Sequence, residues 1–195
     1  MKILALLGSP RKGGHSETVS RAFCAQTAAL GHEVRIVRLN NLEYKGCQGC
    51  YACKRGHERC VMKDELAPVL DAVYTADVLL LASPVYYGDV TAQMKGFIDR
   101  THSYFKPDFM LRPENSCRLP SGKGLVFILT QGDPAPASYG DIWPRYDYFF
   151  QYYGFNRRRL LRVCGVQASD RYTPPTHLQR AQLLAREMTE PMSVG

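Results

Sequence analysis

The stretch Lys2-Ile3-Leu4-Ala5-Leu6-Leu7-Gly8-Ser9-Pro10-Arg11-Lys12-Gly13-Gly14-His15-Ser16-Glu17 decides the fold. Lys2 to Leu7 is a short apolar run rich in branched side chains that stops at a glycine, which reads as a buried strand entering a loop. Beyond the loop, Val19, Ala22, Phe23 and Leu30 recur at helical spacing and Gly31 closes the segment. That spacing predicts a helix over 15–30 with a glycine stop. A buried strand, a tight loop and a helix form the opening unit of an α/β chain, and ligands of such chains sit on the loop.

The same alternation continues outward. Residues 33–39 (EVRIVRL) alternate apolar and charged, as an edge strand does, whereas 77–82 (DVLLLA) and 124–130 (GLVFILT) are continuous apolar strands. A fifth strand is expected at 160–166. Helices are expected at 64–76, capped by Asp64 with Pro68 in the first turn, then at 92–104, 141–153 and 176–188. The class is α/β: one domain over 1–195, a doubly wound five-stranded parallel sheet with helices on both faces. The loops after Leu7, Ala82 and Thr130 are its expected functional edge. Two segments stand outside the pattern. One is a Cys-rich insertion at about 44–63; the other is a long connection at about 105–123, suited to a lid or a dimer arm.

Composition narrows the function. In 195 residues, 45% apolar against 22% charged supplies enough burial to offset the ordering entropy of one domain, which excludes a disordered chain. The longest apolar runs fall far short of the roughly 18 residues of a membrane span. The opening MKILALLGSPRKGG has no signal core or cleavage site, so a cytoplasmic protein without membrane partners is expected. The formal net charge of +7 lies within residues 1–63, where eleven Lys and Arg face four Glu. No nucleic-acid motif accompanies it, and a positive field around small anions is the better use.

Gly8 to Glu17 places hydroxyls, cations and backbone N–H groups at a helix N-terminus, the physical recipe for a phosphate site. Glycines at 8, 13 and 14 fit neither the dinucleotide fingerprint nor the triphosphate loop, so a terminal monophosphate is favoured over both. An ordinary turn capped by Ser9 or Ser16 is the competing reading. Ser83-Pro84-Val85-Tyr86-Tyr87-Gly88-Asp89 leaves the third strand with an aromatic pair at an exposed strand end, which a flat ligand or a packing partner would cover. Thr130-Gln131-Gly132-Asp133 ends the fourth strand, where Gly132 allows close approach and Gln131 offers a donor and an acceptor.

The string GSPRKGGHS resembles the GSPRKxGNT loop of the flavodoxin-like NAD(P)H-dependent FMN reductases, and SPVYYGDVTAQMKGFIDR resembles their TPVYWGxxxAQxKxFIDR segment. The resemblance implies a flavodoxin-like fold with strand order 2-1-3-4-5. It also implies an FMN phosphate held by Ser9, Arg11, Lys12, His15, Ser16 and the Glu17 backbone N–H. Pro84, Val85, Tyr86, Tyr87 and Gly88 would surround the flavin ring, with Thr130, Gln131 and Gly132 as a third flavin loop. His15 and Ser16 stand where Asn and Thr are common.

Cys47, Cys50, Cys53 and Cys60 fall within 14 residues, flanked by Gly46, Gly49 and Gly56. A C-x2-C-x2-C run with a fourth Cys suits a cuboidal iron-sulfur cluster. Redox thiols or a disulfide, and a single zinc, stay open. This spacing resembles the iron-sulfur flavoproteins of the same superfamily, which pair a 4Fe-4S cluster with FMN. Cys24, Cys117 and Cys164 read as packing residues. His102 and His177 lack ligand partners, and the Arg157-Arg158-Arg159 run with Arg162 reads as a solvated face rather than a phosphate site.

The reading is an FMN-dependent oxidoreductase in which the flavin carries the chemistry and no catalytic acid or base is required. Electrons would pass from a ferredoxin-like donor through the cluster and FMN to a small-molecule acceptor such as a quinone, oxygen or peroxide. The resemblance also implies a homodimer or homotetramer. The alternatives are an NAD(P)H-dependent FMN or quinone reductase without a metal, and a non-enzymatic electron carrier; the positive charge speaks against the carrier.

Overall fold

Alternate residues of each central strand face opposite layers, and this period of two builds the molecule. In the computed structural model, which describes residues 1–170 and 172–190, Ile3, Ala5 and Leu7 point to one face and Leu4 and Leu6 to the other. The strands are β1 (Lys2–Leu7), β2 (Glu33–Arg38), β3 (Val78–Pro84), β4 (Lys123–Thr130) and β5 (Phe155–Val163), all parallel in the order β2-β1-β3-β4-β5. The helices are α1 (His15–Ala29), α2 (Ala67–Thr75), α3 (Ala92–Arg100), α4 (Ile142–Tyr152) and α5 (Pro175–Thr189).

Helices α1 and α5 close one face through Val19, Phe23, Ala181, Ala185 and Met188. Helices α2, α3 and α4 close the other through Val69, Leu70, Val73, Met94, Phe97, Ile142 and Phe150. The central strands β3 and β4 are buried along their whole length, as a sheet covered on both faces requires. Because the order reverses between β1 and β3, the C-terminal ends of these strands open onto a shared crevice. Among the described residues no helix is long and apolar enough to cross a membrane.

Two expectations need correction. Strand β5 runs over Phe155–Val163, not 160–166, and takes in the arginine run. Each arginine there is paired. Arg157 donates to the carbonyls of Met188 at 2.9 Å and Glu190 at 3.0 Å, Arg158 pairs with Asp147 at 2.5 Å and Arg159 with Glu187 at 2.5 Å. Side chains that read as a solvated face are the alternating faces of an edge strand, their charges matched by α4 and α5. Helix α2 starts at Ala67 with Leu66 at its cap, and Asp64 holds the turn just before it, its Oδ1 accepting from Leu66 N at 3.2 Å while the carboxylate also pairs with Arg100 at 2.5 Å. The connection after α3 is anchored rather than loose: Phe105 and Leu119 are buried, and Phe105 stacks on Phe109 at 4.5 Å. Its exposed large apolar side chains are Met110 and Leu111 at the tip.

Candidate functional site

The loop after β1 is seated on the loop after β3. Gly8 donates its N–H to the Ala82 carbonyl at 2.7 Å, and Thr91 Oγ1 donates to the Gly8 carbonyl at 2.7 Å. Thr91 also caps α3, accepting from Met94 N at 3.3 Å. A Cβ on Gly8 would lie 2.9 Å from Met94 Cβ and 3.0 Å from Thr91 Oγ1, so only glycine lets the two loops meet this closely. Thr91 went unnoticed in the sequence as a site residue; the signal available was a threonine one residue before a helical stretch.

Gly14 is the extended cap of α1 and no side chain caps that end, which leaves the first-turn amides of His15, Ser16 and Glu17 facing out. Ser9 is buried beside them, its Oγ accepting from Arg11 N at 3.2 Å. Arg11 crosses to the Ala168 carbonyl at 3.1 Å, and Lys12 is exposed at the loop's tip. The side chains of His15 and Glu17 point elsewhere, while their backbone amides stay at the helix end. The His15 ring bonds Thr173 Oγ1 at 2.8 Å and the Gln167 carbonyl at 2.9 Å, so only its backbone N–H is left for the loop. The Glu17 carboxylate supports the loop from behind, accepting from Gly13 N at 3.0 Å, from Arg21 Nε at 2.9 Å and from Arg38. Burial would raise the Glu17 carboxyl, but the bonds from Arg21, the Gly13 amide and Arg38 outweigh it and hold the group below its ordinary value.

At the end of β3 the ring loop makes a two-residue reversal. Tyr86 N bonds the Asp89 carbonyl at 2.8 Å and Asp89 N bonds the Tyr86 carbonyl at 3.0 Å, with Tyr87 and Gly88 both left-handed at φ 49° and 76°. A non-glycine residue held there is strained, and Tyr87 is wholly exposed at the tip of the turn with Tyr86 half-exposed below it. Pro84 is buried at the strand end, and Val85 N bonds the Thr130 carbonyl at 2.8 Å, so the loops after β1 and β4 flank this turn.

The third loop departs from expectation in detail. The buried Gln131 amide donates to the carbonyls of Asp133 at 3.1 Å and Ala135 at 2.9 Å, and its oxygen accepts from Arg162 at 2.6 Å. It therefore shapes the loop instead of offering its side chain to a ligand. Gly132 packs on Gln167, and Tyr139, left-handed at φ 59°, lies against Gly88. Arg162 fixes this segment through the Ser138 and Tyr139 carbonyls at 3.3 and 3.1 Å.

Away from this rim, Cys47, Cys50, Cys53 and Cys60 line one cavity of about 370 Å³ between the insertion and the end of α3, shared with Arg100 and His102. Cys47 and Cys50 are exposed, Cys53 and Cys60 half-buried. Among the described residues no three His, Cys, Asp or Glu side chains converge on one point as a single metal ion requires. A cuboidal cluster does not ask for that, since each thiolate binds its own iron. The donor set is four sulfurs with cations behind them: Lys54 Nζ lies 3.6 Å from Cys53 Sγ and donates to the His102 and Phe105 carbonyls at 2.6 and 2.8 Å. Arg118 ties the Cys53 carbonyl to the same turn at 3.1 Å. Cys24 is the opposite case, a thiol whose pKa burial pushes up to about 12.

The chain is similar to known proteins. An iron-sulfur flavoprotein of Archaeoglobus fulgidus is 36% identical over 112 residues, 57% of this chain and 54% of that protein. One of Methanosarcina thermophila is 33% identical over 122 residues, 63% of each. The chain thus spans roughly half to two-thirds of the length of these relatives. In solved structures the NAD(P)H:quinone oxidoreductase of Methanothermobacter marburgensis matches over 99% of both chains with a TM-score of 0.76 at 17% identity, which shows a common fold. The model of the NADPH-dependent FMN reductase family matches residues 1–116, the part that carries the Gly8–Glu17 loop, the four clustered cysteines and the Tyr86-Tyr87 turn. By that match the chain belongs to the NADPH-dependent FMN reductase family.

Proposed function

We propose that the chain is an FMN oxidoreductase whose cysteine insertion holds a 4Fe-4S cluster. The observation that carries the flavin part is the uncapped N-terminus of α1 beside the strained Tyr87-Gly88 turn, on loops locked together at Gly8. Ser9, Arg11, Ser16 and the amides of His15 and Glu17 would hold the phosphate, with Lys12 adding positive field. Pro84 to Gly88 would take the ring, and Thr130 to Gly132 would border it with backbone. When bound, FMN supplies hydride or single-electron chemistry and a cluster supplies single electrons.

Around these groups the chain's own work is anchoring and exclusion of water. Cys47, Cys50, Cys53 and Cys60 would be the cluster ligands, their negative charge offset by Lys54 and Arg100 at the cavity wall. A small acceptor such as a quinone, oxygen or peroxide would reach the ring over Tyr87, and a ferredoxin-like donor would serve the cluster. Assembly as a dimer or tetramer would cover Cys47 and Cys50. Their exposure also favours a second reading, a metal-free NAD(P)H-dependent FMN or quinone reductase.

Anaerobic purification followed by an absorption spectrum with iron, sulfide and flavin assays on one sample tests both. About four irons and four sulfides beside one FMN per chain is the expected result. Flavin without iron, together with rapid oxidation of NAD(P)H, supports the second reading, and a chain that retains no flavin overturns both.

A further inference from the structure

The cavity that gathers the four cysteines also contains a buried donor that the protein leaves without an acceptor. Arg100, the last residue of α3, has its side chain wholly buried. Its Nη1 bonds the two Asp64 oxygens at 2.7 and 2.5 Å and the Lys45 carbonyl at 3.3 Å, and its Nη2 reaches the Met62 carbonyl at 3.4 Å. Lys45 lies two residues before Cys47, and Met62 two residues after Cys60. One guanidinium therefore staples both ends of the insertion to α3. Its Nε is buried with no hydrogen-bond partner among the described residues. The same side chain lines the cavity that Cys60 and the other three cysteines share.

Buried guanidinium donors are normally all satisfied, and a planar fork cannot turn one N–H away without moving the others. Three of the five N–H groups of this fork are directed, both on Nη1 by Asp64 and the Lys45 carbonyl and one on Nη2 by the Met62 carbonyl, and the planar fork then fixes where Nε points. The acceptors that the cavity's chemistry offers are sulfurs carrying negative charge. We propose that Arg100 is the positioning residue of the cysteine site, donating to the Cys60 sulfur and to a sulfide of the cluster and raising the cluster's reduction potential. This rests on the cluster reading given above. Hydrogen bonds to cluster sulfurs and nearby positive charge both favour the reduced, more negative state.

The test uses the full chain reconstituted anaerobically with iron and sulfide in the presence of FMN. Arg100→Lys keeps the charge and a bond to Asp64 but removes the forked donor, and the double variant Arg100→Gln with Asp64→Asn removes the ion pair as a unit. Expected for Arg100→Lys are four irons and one FMN per chain, a more negative cluster potential in an EPR-monitored titration, and loss of iron to a chelator about tenfold faster than in the parent. The double variant should shift the potential further in the same direction. In parent protein labelled with 15N-arginine, the reduced cluster should show a nitrogen hyperfine coupling, a measurement that needs no variant. Where Arg100→Lys folds, that coupling should be missing from it.

Unchanged potential and chelator release in both variants, or no nitrogen coupling in the parent, overturns the assignment and leaves Arg100 a structural staple. If the parent binds FMN but takes up no iron, the cluster reading fails and this proposal with it. Parent protein that holds four irons while the variants match it defeats the Arg100 role alone.

Discussion

The rim of loops at the C-terminal ends of the strands and the cysteine insertion are held in shape by opposite means. On the rim, backbone bonds carry the sheet's ladder past the strand ends: Gly8 N to Ala82 O at 2.7 Å, Val85 N to Thr130 O at 2.8 Å and Gln131 N to Val163 O at 2.9 Å. The loops inherit the rigidity of five parallel strands. The insertion at 44–63 has one short 3-10 turn, Ala52–Lys54, and no strand or α-helix among its described residues. Four cations hold it instead: Arg100 at both of its ends, Lys54 reaching the His102 and Phe105 carbonyls, Arg118 reaching Cys53, and Arg59 over the Tyr74 ring of α2. A rim fixed by backbone tolerates loss of a side chain; a segment fixed by buried charge is released when one charge is neutralised.

The largest effect that would sharpen this contrast is expected from Asp64→Asn. It leaves the wholly buried Arg100 guanidinium without its counter-charge, a loss of about 3 kcal/mol from breaking a buried pair by removing one partner. Urea unfolding of the flavin-free protein measures it. Burial would raise the Asp64 carboxyl, but the bonds from Arg100 and from the Lys45 amide outweigh it and hold it below its ordinary value. A depressed carboxyl contributes stability that is present above its unfolded pKa, about 3.9, and lost as pH falls through the folded value. The variant should therefore show a flatter acid limb. Hydrogen exchange should quicken at 45–62 and stay slow in β1, β3 and β4. A loss below about 1 kcal/mol, within the range of exposed pairs, would break the contrast.

Glu17 is the rim's own buried carboxylate, and Glu17→Gln asks whether the rim too leans on charge. It keeps an acceptor for Gly13 N but weakens the bonds from Arg21 and Arg38, for an expected loss of about 2 kcal/mol. The sign of its pH dependence matches that of Asp64: the contribution is present above the unfolded glutamate pKa and disappears as pH falls through the lowered folded one. The difference lies in locality. Stability should fall while the Gly8 and Val85 amides keep their protection, because the backbone ladder beneath them is untouched. Faster exchange at Gly8 would show that the rim depends on charge as the insertion does.

Legibility in the sequence followed the same division. The strands β1, β3 and β4 and the three loops that leave them could be read because apolar runs, glycines and prolines punctuate them locally. The start of β5 was hidden since Arg157 to Arg159 look solvated until α4 and α5 supply Asp147 and Glu187. The helical hydrogen bonding of α2 begins three residues later than read, because Asp64 caps a turn ahead of the helix through Leu66 N and shares its carboxylate with a residue 36 positions away. The cysteine spacing was visible, whereas its supports were not: Arg118 meets Cys53 across 65 positions and Lys54 meets Phe105 across 51. In the same way Thr91 finds Gly8 across 83 positions. Pairings at such separations belong to the topology, and no local pattern announces them.

The smallest effect tests a second place where the rim borrows the insertion's method. Arg162 reaches from β5 to Gln131 Oε1 at 2.6 Å and to the Ser138 and Tyr139 carbonyls, and so holds Tyr139 against Gly88 in its strained left-handed conformation. Arg162→Met keeps the apolar stem on an edge strand and removes only these bonds. Because Arg162 is half-exposed, global stability should fall by less than about 1 kcal/mol. FMN affinity, followed by fluorescence titration, should fall about fivefold to tenfold, or about 1–1.4 kcal/mol, as the third loop loosens. Iron content should not move, since no bond of Arg162 reaches the insertion. Unchanged affinity would mean that the backbone bonds of Gln131 to Val163 and of Val166 to Gln131 fix the loop by themselves, leaving the rim wholly a product of the sheet. A loss beyond a hundredfold would place the rim under the control of a single charge and erase the distinction between the two sites.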